Sequence, residues 1–407
     1  MWELIRVNKR NSVLLLVTMA ACLIALGWVI GAAFGGQDGG TLGLLIAGGI
    51  WVVLSLVSFS AGDSILLTAS NAVPVTHEVH PQLFNIVEEM SIAAGLPVPK
   101  VYIINDPAPN AFATGRNPKS ASIAVTAGLL GKLNRDELQG VVAHEMSHIL
   151  HRDILFVTLA GIMLGSVVLI SQVFLRSMFY GSFGGSRRRY SAGGRGAGGA
   201  AAIMLLIAII AAILAPIMTQ LLYFALSRRR EYLADAGAAR LTRYPEGLAG
   251  ALEKIAGDKT PQLATANQVT APMFIVNPFK RKEQWTLSDL TSTHPPISER
   301  IRILRSMSQG ASLKDYSEAF ERVTNVRTVV PASALTKEDI ALRQASAGAK
   351  SEQMERQMRQ VGDIMRRVNG FIFLACACGL TLKIPPNYKA ETVKCPRCQR
   401  VLEIKKA

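Results

Sequence analysis

Cysteine is scarce in this chain. Only five occur in 407 residues; Cys376, Cys378, Cys395 and Cys398 cluster near the C-terminus, and Cys22 lies alone in an apolar run. That distribution excludes the disulfide framework of a small secreted protein and points to a metal knot in a reducing compartment. Acidic residues are also short, 29 against 44 Lys and Arg, which leaves a net charge of +15. Aromatic residues make up 6% of the chain, and no internal repeat is visible. Apolar residues are what it has: half the chain is hydrophobic and the mean hydropathy is +0.28. This is too apolar for an ordinary soluble protein of this size and suits a membrane protein with a sizeable soluble part. Beside membrane segments, the basic surplus reads as a face turned to anionic lipid. Its basic residues are spread rather than focused on one helix, so nucleic acid is not an expected partner.

Apolar runs occupy residues 12–34, 42–60, about 154–175 and 200–226. The first two are each long enough to cross a bilayer as a helix. Arg6, Lys9 and Arg10 precede the first, so the positive-inside rule puts the N-terminus in the cytoplasm and the link 35–40 outside. The length of the first run, with a second following at once, favours an uncleaved helix over a signal peptide. The other two runs flank a Gly- and Arg-rich link, 181–199. If both span, that link lies outside, against the charge rule. Almost no charge falls within the four runs, which leaves a transporter without a substrate path.

Between and after the runs the chain reads as soluble. The pattern predicts a helix over His77–Leu96, stopped by Gly95 and Pro97, and strands at 100–104 and 121–126. Asn134, with Glu137 three positions on, predicts a capping box opening the next helix. Helices are also expected over about 231–258 and 297–320, and a charged, solvated connector helix over 336–368. The expected architecture is a mainly α membrane protein with four apolar helices. Its units are an N-terminal transmembrane hairpin (1–62), a domain with a small β-sheet (63–330) interrupted by a second apolar hairpin (154–226), a charged helical linker (331–369) and a small C-terminal unit (370–407).

The segment HEMSH places His144 and His148 four apart, so both imidazoles project from one face of a helix and can share a metal. Glu145 sits beside the first, where it can take the proton of an attacking water. A catalytic zinc needs three protein ligands and an open position. Glu231 is a candidate third ligand, with Asp235 four residues on to orient a ligating histidine. The alternative is that both acids pair with Arg228, Arg229 and Arg230 on a solvated face. His151, one turn beyond His148, reads as helix surface or as support for the site; His77 and His80 read as surface positions.

The pieces NAFATG (110–115), AVTAGLL (124–130), ELQGVVAHEMSHILHRD (137–153), SRRREYLADAGAA (227–239) and STHPPISERI (292–301) occur in the order found in HtpX-like membrane zinc metalloproteases, relatives of the CAAX prenyl proteases. The chain resembles that family over about residues 1–310. The resemblance implies a gluzincin-like protease domain with His144, His148 and Glu231 as zinc ligands and Glu145 as general base. It also implies that Asn110, Ala111, Phe112, Ala113 and Thr114 form an edge strand pairing with substrate backbone, a mode that reads main chain with little side-chain preference; unaided, 110–115 reads as a turn. His294 is either a donor to the oxyanion or a structural histidine before a rigid Pro-Pro turn.

The expected reaction is hydrolysis of peptide bonds in protein substrates, either misfolded membrane proteins or prenylated peptides, four spans favouring the former. A catalytically silent scaffold would show a broken ligand set, and none of the four core residues is missing. The helix bearing HEMSH runs into the apolar run at Ile154, which predicts a multi-pass plasma-membrane enzyme with its site near the cytoplasmic surface. The two C-terminal cysteine pairs resemble a zinc ribbon holding a second, structural zinc. The first pair is C-x-C, and Gln399 stands where glycine usually follows the second. Residues 331–407 can also serve an oligomer or an adaptor.

Overall fold

The computed structural model describes residues 2–77, 79–156, 167–168, 170–176, 197–258, 295–326, 330, 335, 340–346, 362–363, 366, 371–388 and 390–404. Helix α1 (Trp2–Ala69) is helical throughout yet folds back on itself. A Cβ placed on Gly31 would lie 2.1 Å from the carbonyl oxygen of Gly39, an approach that only a reversal between them permits. Its arms, Ile5–Gly35 and Gln37–Ala69, run 31 and 33 residues. The link expected over 35–40 is therefore a reversal within helical backbone, since glycines let the arms meet closely. Large apolar side chains such as Leu14, Leu45, Ile46 and Leu56 stay exposed along both arms. The inner face of the first arm packs through Leu23 and Leu26 onto Val167, Phe174, Ala208 and Ala212.

The soluble unit is built on a four-stranded sheet in the order β1-β2-β4-β3, from β1 (Ala72–Pro74), β2 (Lys100–Ile104), β3 (Ala111–Thr114) and β4 (Ser122–Thr126). β2 and β4 are parallel, whereas β1 and β3 are antiparallel to their neighbours, so β3 is an edge. Helix α2 (Pro81–Ala94) ends where Gly95 adopts φ 65°, the left-handed cap that glycine takes without strain. It starts four residues later than expected because His80 serves as its N-cap, accepting from the Leu83 N–H. The short α3 (Ala127–Lys132) leads into α4 (Arg135–Leu150). Leu83, Ile86, Val87 and Met90 of α2, Val101 and Ile103 of β2, Ile123 and Val125 of β4, and Val141, Val142, Met146 and Ile149 of α4 form one buried core. Each such side chain contributes about 1.5–3 kcal/mol by leaving water.

Helix α5 (Ala197–Thr242) is 46 residues long and joins the fourth apolar run to the segment bearing Glu231. Nothing after Pro216 forces a break until Arg243, which turns the chain at φ 55°. Pro245 then starts α6 (Pro245–Ala256), so the helix expected over 231–258 is two. The region 297–320 likewise divides into α7 (Ile297–Arg305) and α8 (Leu313–Thr324), because Ser312 and Asp315 form a capping box that opens a new helix.

Two expectations need correction. Among the described residues, two helical segments rather than four are long and apolar enough to cross a membrane, the arms of α1; the fourth run contributes the shorter apolar stretch Leu205–Ile217, and much of the third lies outside the described residues. The connector helix expected over 336–368 is not helical at 340–346, which run as a strap over the soluble unit because their polar groups find partners there. The C-terminus forms two hairpins, β5–β6 (Ile372–Ala375, Thr381–Ile384) and β7–β8 (Thr392–Lys394, Val401–Glu403).

Candidate metal and active site

The capping box at the start of α4 is closed on both sides. The Asn134 side chain accepts from the Glu137 N–H at 2.9 Å, and Glu137 accepts from the Asn134 N–H at 2.8 Å. The helix then passes through the core, so His144 and Glu145 are only 1% and 2% exposed. The Nε2 atoms of His144 and His148 lie 3.3 Å apart. Glu231 on α5 faces both, its oxygens 3.7 Å from the first and 3.6 Å from the second. His144, His148 and Glu231 can therefore offer three donor atoms within 4.8 Å of one another.

The far side of each ring faces a carboxylate. Nδ1 of His144 lies 3.0 Å from Asp235, and Nδ1 of His148 lies 3.1 Å from Asp153. A carboxylate beside Nδ1 favours an N–H there and leaves Nε2 as the nitrogen turned toward a metal. Two Nε2 atoms 3.3 Å apart, facing a carboxylate, need a cation between them, a proton in the metal-free protein or a metal ion in its place. The donor set therefore fits a zinc ion of two nitrogens and one oxygen with a position to spare.

Electrostatics agree with this. Burial alone would lower the pKa of His148, but the carboxylates of Asp153, Glu231 and Glu145 outweigh it and push it up to about 10. His144 is also raised, burial being outweighed by Asp235 and Glu231. Asp235 would be raised by its burial, yet Arg300 holds it below the usual carboxylate range. Arg300 is fully buried. It grips Asp235 with two hydrogen bonds of 2.8 and 2.7 Å and comes within 3.4 Å of Glu231. Burial raises the pKa of Glu145 against the pull of both histidines, which moves a general base toward neutrality. The backbone N–H of Ala113 on β3 donates to that carboxylate, so the edge strand lies directly beside it.

Of the remaining sequence candidates, Asn110, Ala111, Phe112, Ala113 and Thr114 are all buried, and Phe112 ties β3 to Leu66 and Leu67 of α1. Asn110 precedes the strand and pairs with Thr126. The solvated face offered as an alternative for Glu231 and Asp235 does not exist, for both side chains are buried. Arg230 turns the other way, stacks 3.3 Å over the Phe156 ring and donates to Ser12 of α1 at 3.0 Å. His151 is buried rather than on the surface, and burial pulls its pKa down to about 4. His77 is exposed as expected and bonds Asn85. His294 lies outside the described residues.

Asp153 and Arg300 carry no signal of their own in the sequence. Arg152 takes φ 56° after α4, which swings Asp153 back under His148. Arg300 meets an acid 65 residues away.

The cysteine cluster is equally local. Cys376 and Cys378 sit between β5 and β6, Cys395 and Cys398 between β7 and β8. Sγ atoms of Cys376 and Cys398 are 3.3 Å apart, and those of Cys378 and Cys395 are 3.6 Å apart. All four sulfurs can offer donors within 4.8 Å of one another. Gln399 adopts φ 60°, so it takes up the left-handed turn that glycine would usually fill. The backbone N–H of Cys398, and then that of Arg397, bring the Cys395 thiol down to about 6, while the thiols of Cys378 and Cys398 are pushed up.

A helix carrying paired imidazoles and a general base, completed by an acid from a second helix, defines a metallopeptidase. Residues 78–308 match the profile of peptidase family M48. A Protease HtpX homolog of Caldanaerobacter subterraneus subsp. tengcongensis is 46% identical over 308 residues, covering 76% of this chain and 98% of the relative. Another, from Dictyoglomus thermophilum, is 43% identical over 314 residues, covering 77% and 97%. Among solved structures, S. mikatae Ste24p aligns with a TM-score of 0.40 at 21% identity, over 75% of this chain and 67% of its own. The chain belongs to peptidase family M48. It is an HtpX-like membrane metalloprotease, and its substrates are proteins.

Proposed function

We propose that the chain is a multi-pass zinc endopeptidase of the plasma membrane that cleaves misfolded or membrane proteins at the cytoplasmic surface. One observation carries the chemistry. Asp235 and Asp153 face Nδ1 of the two histidines, and the Nε2 atoms of both converge with Glu231 on one point. His144, His148 and Glu231 would hold the metal there. Zinc bound there would supply a Lewis acid that polarises the scissile carbonyl and acidifies water. Glu145 takes the proton from the attacking water and passes it to the leaving amine. The edge strand β3, beside Glu145, aligns an extended substrate by main-chain pairing over Asn110–Thr114. His294 donates to the developing oxyanion. The four C-terminal cysteines hold a second, structural zinc, a closed set with no open position.

The cytoplasmic placement rests on Ser12. It bonds Arg230, the neighbour of Glu231, and lies just past the basic residues Arg6, Lys9 and Arg10 that mark the inner end of the first arm.

Glu145→Gln should keep its zinc and lose at least about a hundredfold in casein cleavage, the scale of a general base. Cleavage at the wild-type rate would refute the mechanism. Zinc stoichiometry should be two in the wild type and one in His144→Ala; one zinc in both would remove one of the two sites.

A further inference from the structure

The strap at 340–346 lies beyond the residues matched to family M48, and it docks where the two metal-bearing helices end. α5 ends at Thr242, and the left-handed turn at Arg243 leaves its last carbonyls facing the strap. Carbonyls at a helix C-terminus lack partners within the helix and favour a cation. Arg343 meets both needs. Its backbone N–H donates to the Arg243 carbonyl at 2.9 Å, and its Nε donates to that of Thr242 at 2.9 Å. Its guanidinium stacks 4.9 Å from the Tyr244 ring centroid.

The same guanidinium reaches the first turns of α4, donating to Asp136 at 2.8 Å and to Gln139 at 2.6 Å. Ser346 closes the grip on Asp136 with its N–H at 2.9 Å and its hydroxyl at 2.7 Å. Gln139 in turn donates to Glu89 of α2 at 3.1 Å. Farther back on the strap, the Ile340 carbonyl accepts from the Ala311 N–H at 2.9 Å. A lone exposed ion pair holds little. Here one planar fork serves acceptors on two helices at once, which a lysine cannot copy.

α4 bears His144, Glu145 and His148, and α5 bears Glu231 and Asp235. We propose that residues 340–346 are a clamp and Arg343 a positioning residue. Together they fix the start of α4 against the end of α5 and so hold the spacing of the donor atoms. The C-terminal extension is then a working part of the peptidase. This rests on the reading that His144, His148 and Glu231 hold a metal.

The test uses full-length Arg343→Ala, Asp136→Ala and the double variant. Amide hydrogen exchange is followed along Arg135–Leu150, and chelator is titrated to half-loss of peptidase activity. Each single variant should speed exchange in the first turns of α4 and lower the half-inactivating chelator concentration about tenfold, as loss of a ligand's support does. The double variant should lose less than the sum of the two singles, because the Arg343–Asp136 contact is removed in both. Arg343→Lys should recover only part of the loss. Wild-type exchange and chelator resistance in Arg343→Ala would overturn the clamp. So would a lowered unfolding temperature with chelator resistance unchanged, which marks a strap that only adds stability. Were the wild type indifferent to chelator, the metal reading would fail, and exchange alone would decide the clamp.

Discussion

Nδ1 of His148 faces Asp153 across 3.1 Å, and its Nε2 faces Glu231 across 3.6 Å. In the metal-free protein this His is protonated at neutral pH, because its pKa stands at about 10. A metal must displace that proton, so binding should weaken as pH falls. The expected slope is about tenfold in apparent affinity per pH unit below 10, with about one proton released per metal from this residue. Isothermal calorimetry in buffers of different ionisation enthalpy measures it; a pH-independent affinity would contradict the assignment. The sign for folding is opposite. The raised pKa stabilises the metal-free fold fully below about 6.5, the unfolded value, and this is lost as pH rises through about 10. Asp153→Asn should cost roughly 10–100-fold in metal affinity, since it removes the acid that fixes the ring. Chelator competition at constant pH would show it, and an unchanged affinity would demote Asp153 to packing.

The site also depends on how closely two helices approach. α4 and α5 cross at Gly237, where an added Cβ would lie 2.4 Å from Ser147 Oγ and 2.9 Å from its Cβ. Ser147 is fixed in turn by its hydrogen bond to the Ala143 carbonyl at 2.9 Å. Gly237→Ala should therefore push α5 away from α4 and cost about 1–3 kcal/mol by overpacking. Glu231 and Asp235 lie on that moving helix, so zinc affinity should fall together with stability. Denaturant unfolding and zinc competition on the same variant separate the two effects. A destabilised protein with full zinc affinity would mean the donors do not depend on this crossing.

On the scale of the whole molecule, the first arm of α1 meets the site through Ser12 and Arg230, and the second arm meets the edge strand through Leu66, Leu67 and Phe112. Arg230 is 4% exposed and stacks on Phe156, so this junction is packed rather than loosely tethered. If the basic end of the first arm is cytoplasmic, the reversal near Gln37 must lie on the other side. An impermeant thiol reagent added to intact cells should label Gln37→Cys and spare Lys9→Cys. The reverse pattern would put the active site on the outer face.

What could be read from the sequence was local. HEMSH sets two imidazoles on one face because a helix turns once in 3.6 residues. Asn134 and Glu137 cap that helix because they are three apart, and Gly95 stops α2 because it alone takes the left-handed turn freely. The cysteine pairs declared themselves by spacing, and Gln399 takes a left-handed turn that glycine would usually fill. The order of five separated segments pointed to the family. Tertiary structure decided the rest. Arg300 reaches Asp235 from 65 residues away, and Arg343 reaches Asp136 from 207. Such partners leave no periodic trace, since each depends on how whole helices pack. The same holds for the strap at 340–346, whereas the reversal in α1 falls at the link the two apolar runs had marked. In the strap a charged, helix-like composition was outweighed by two helix ends with polar groups to satisfy.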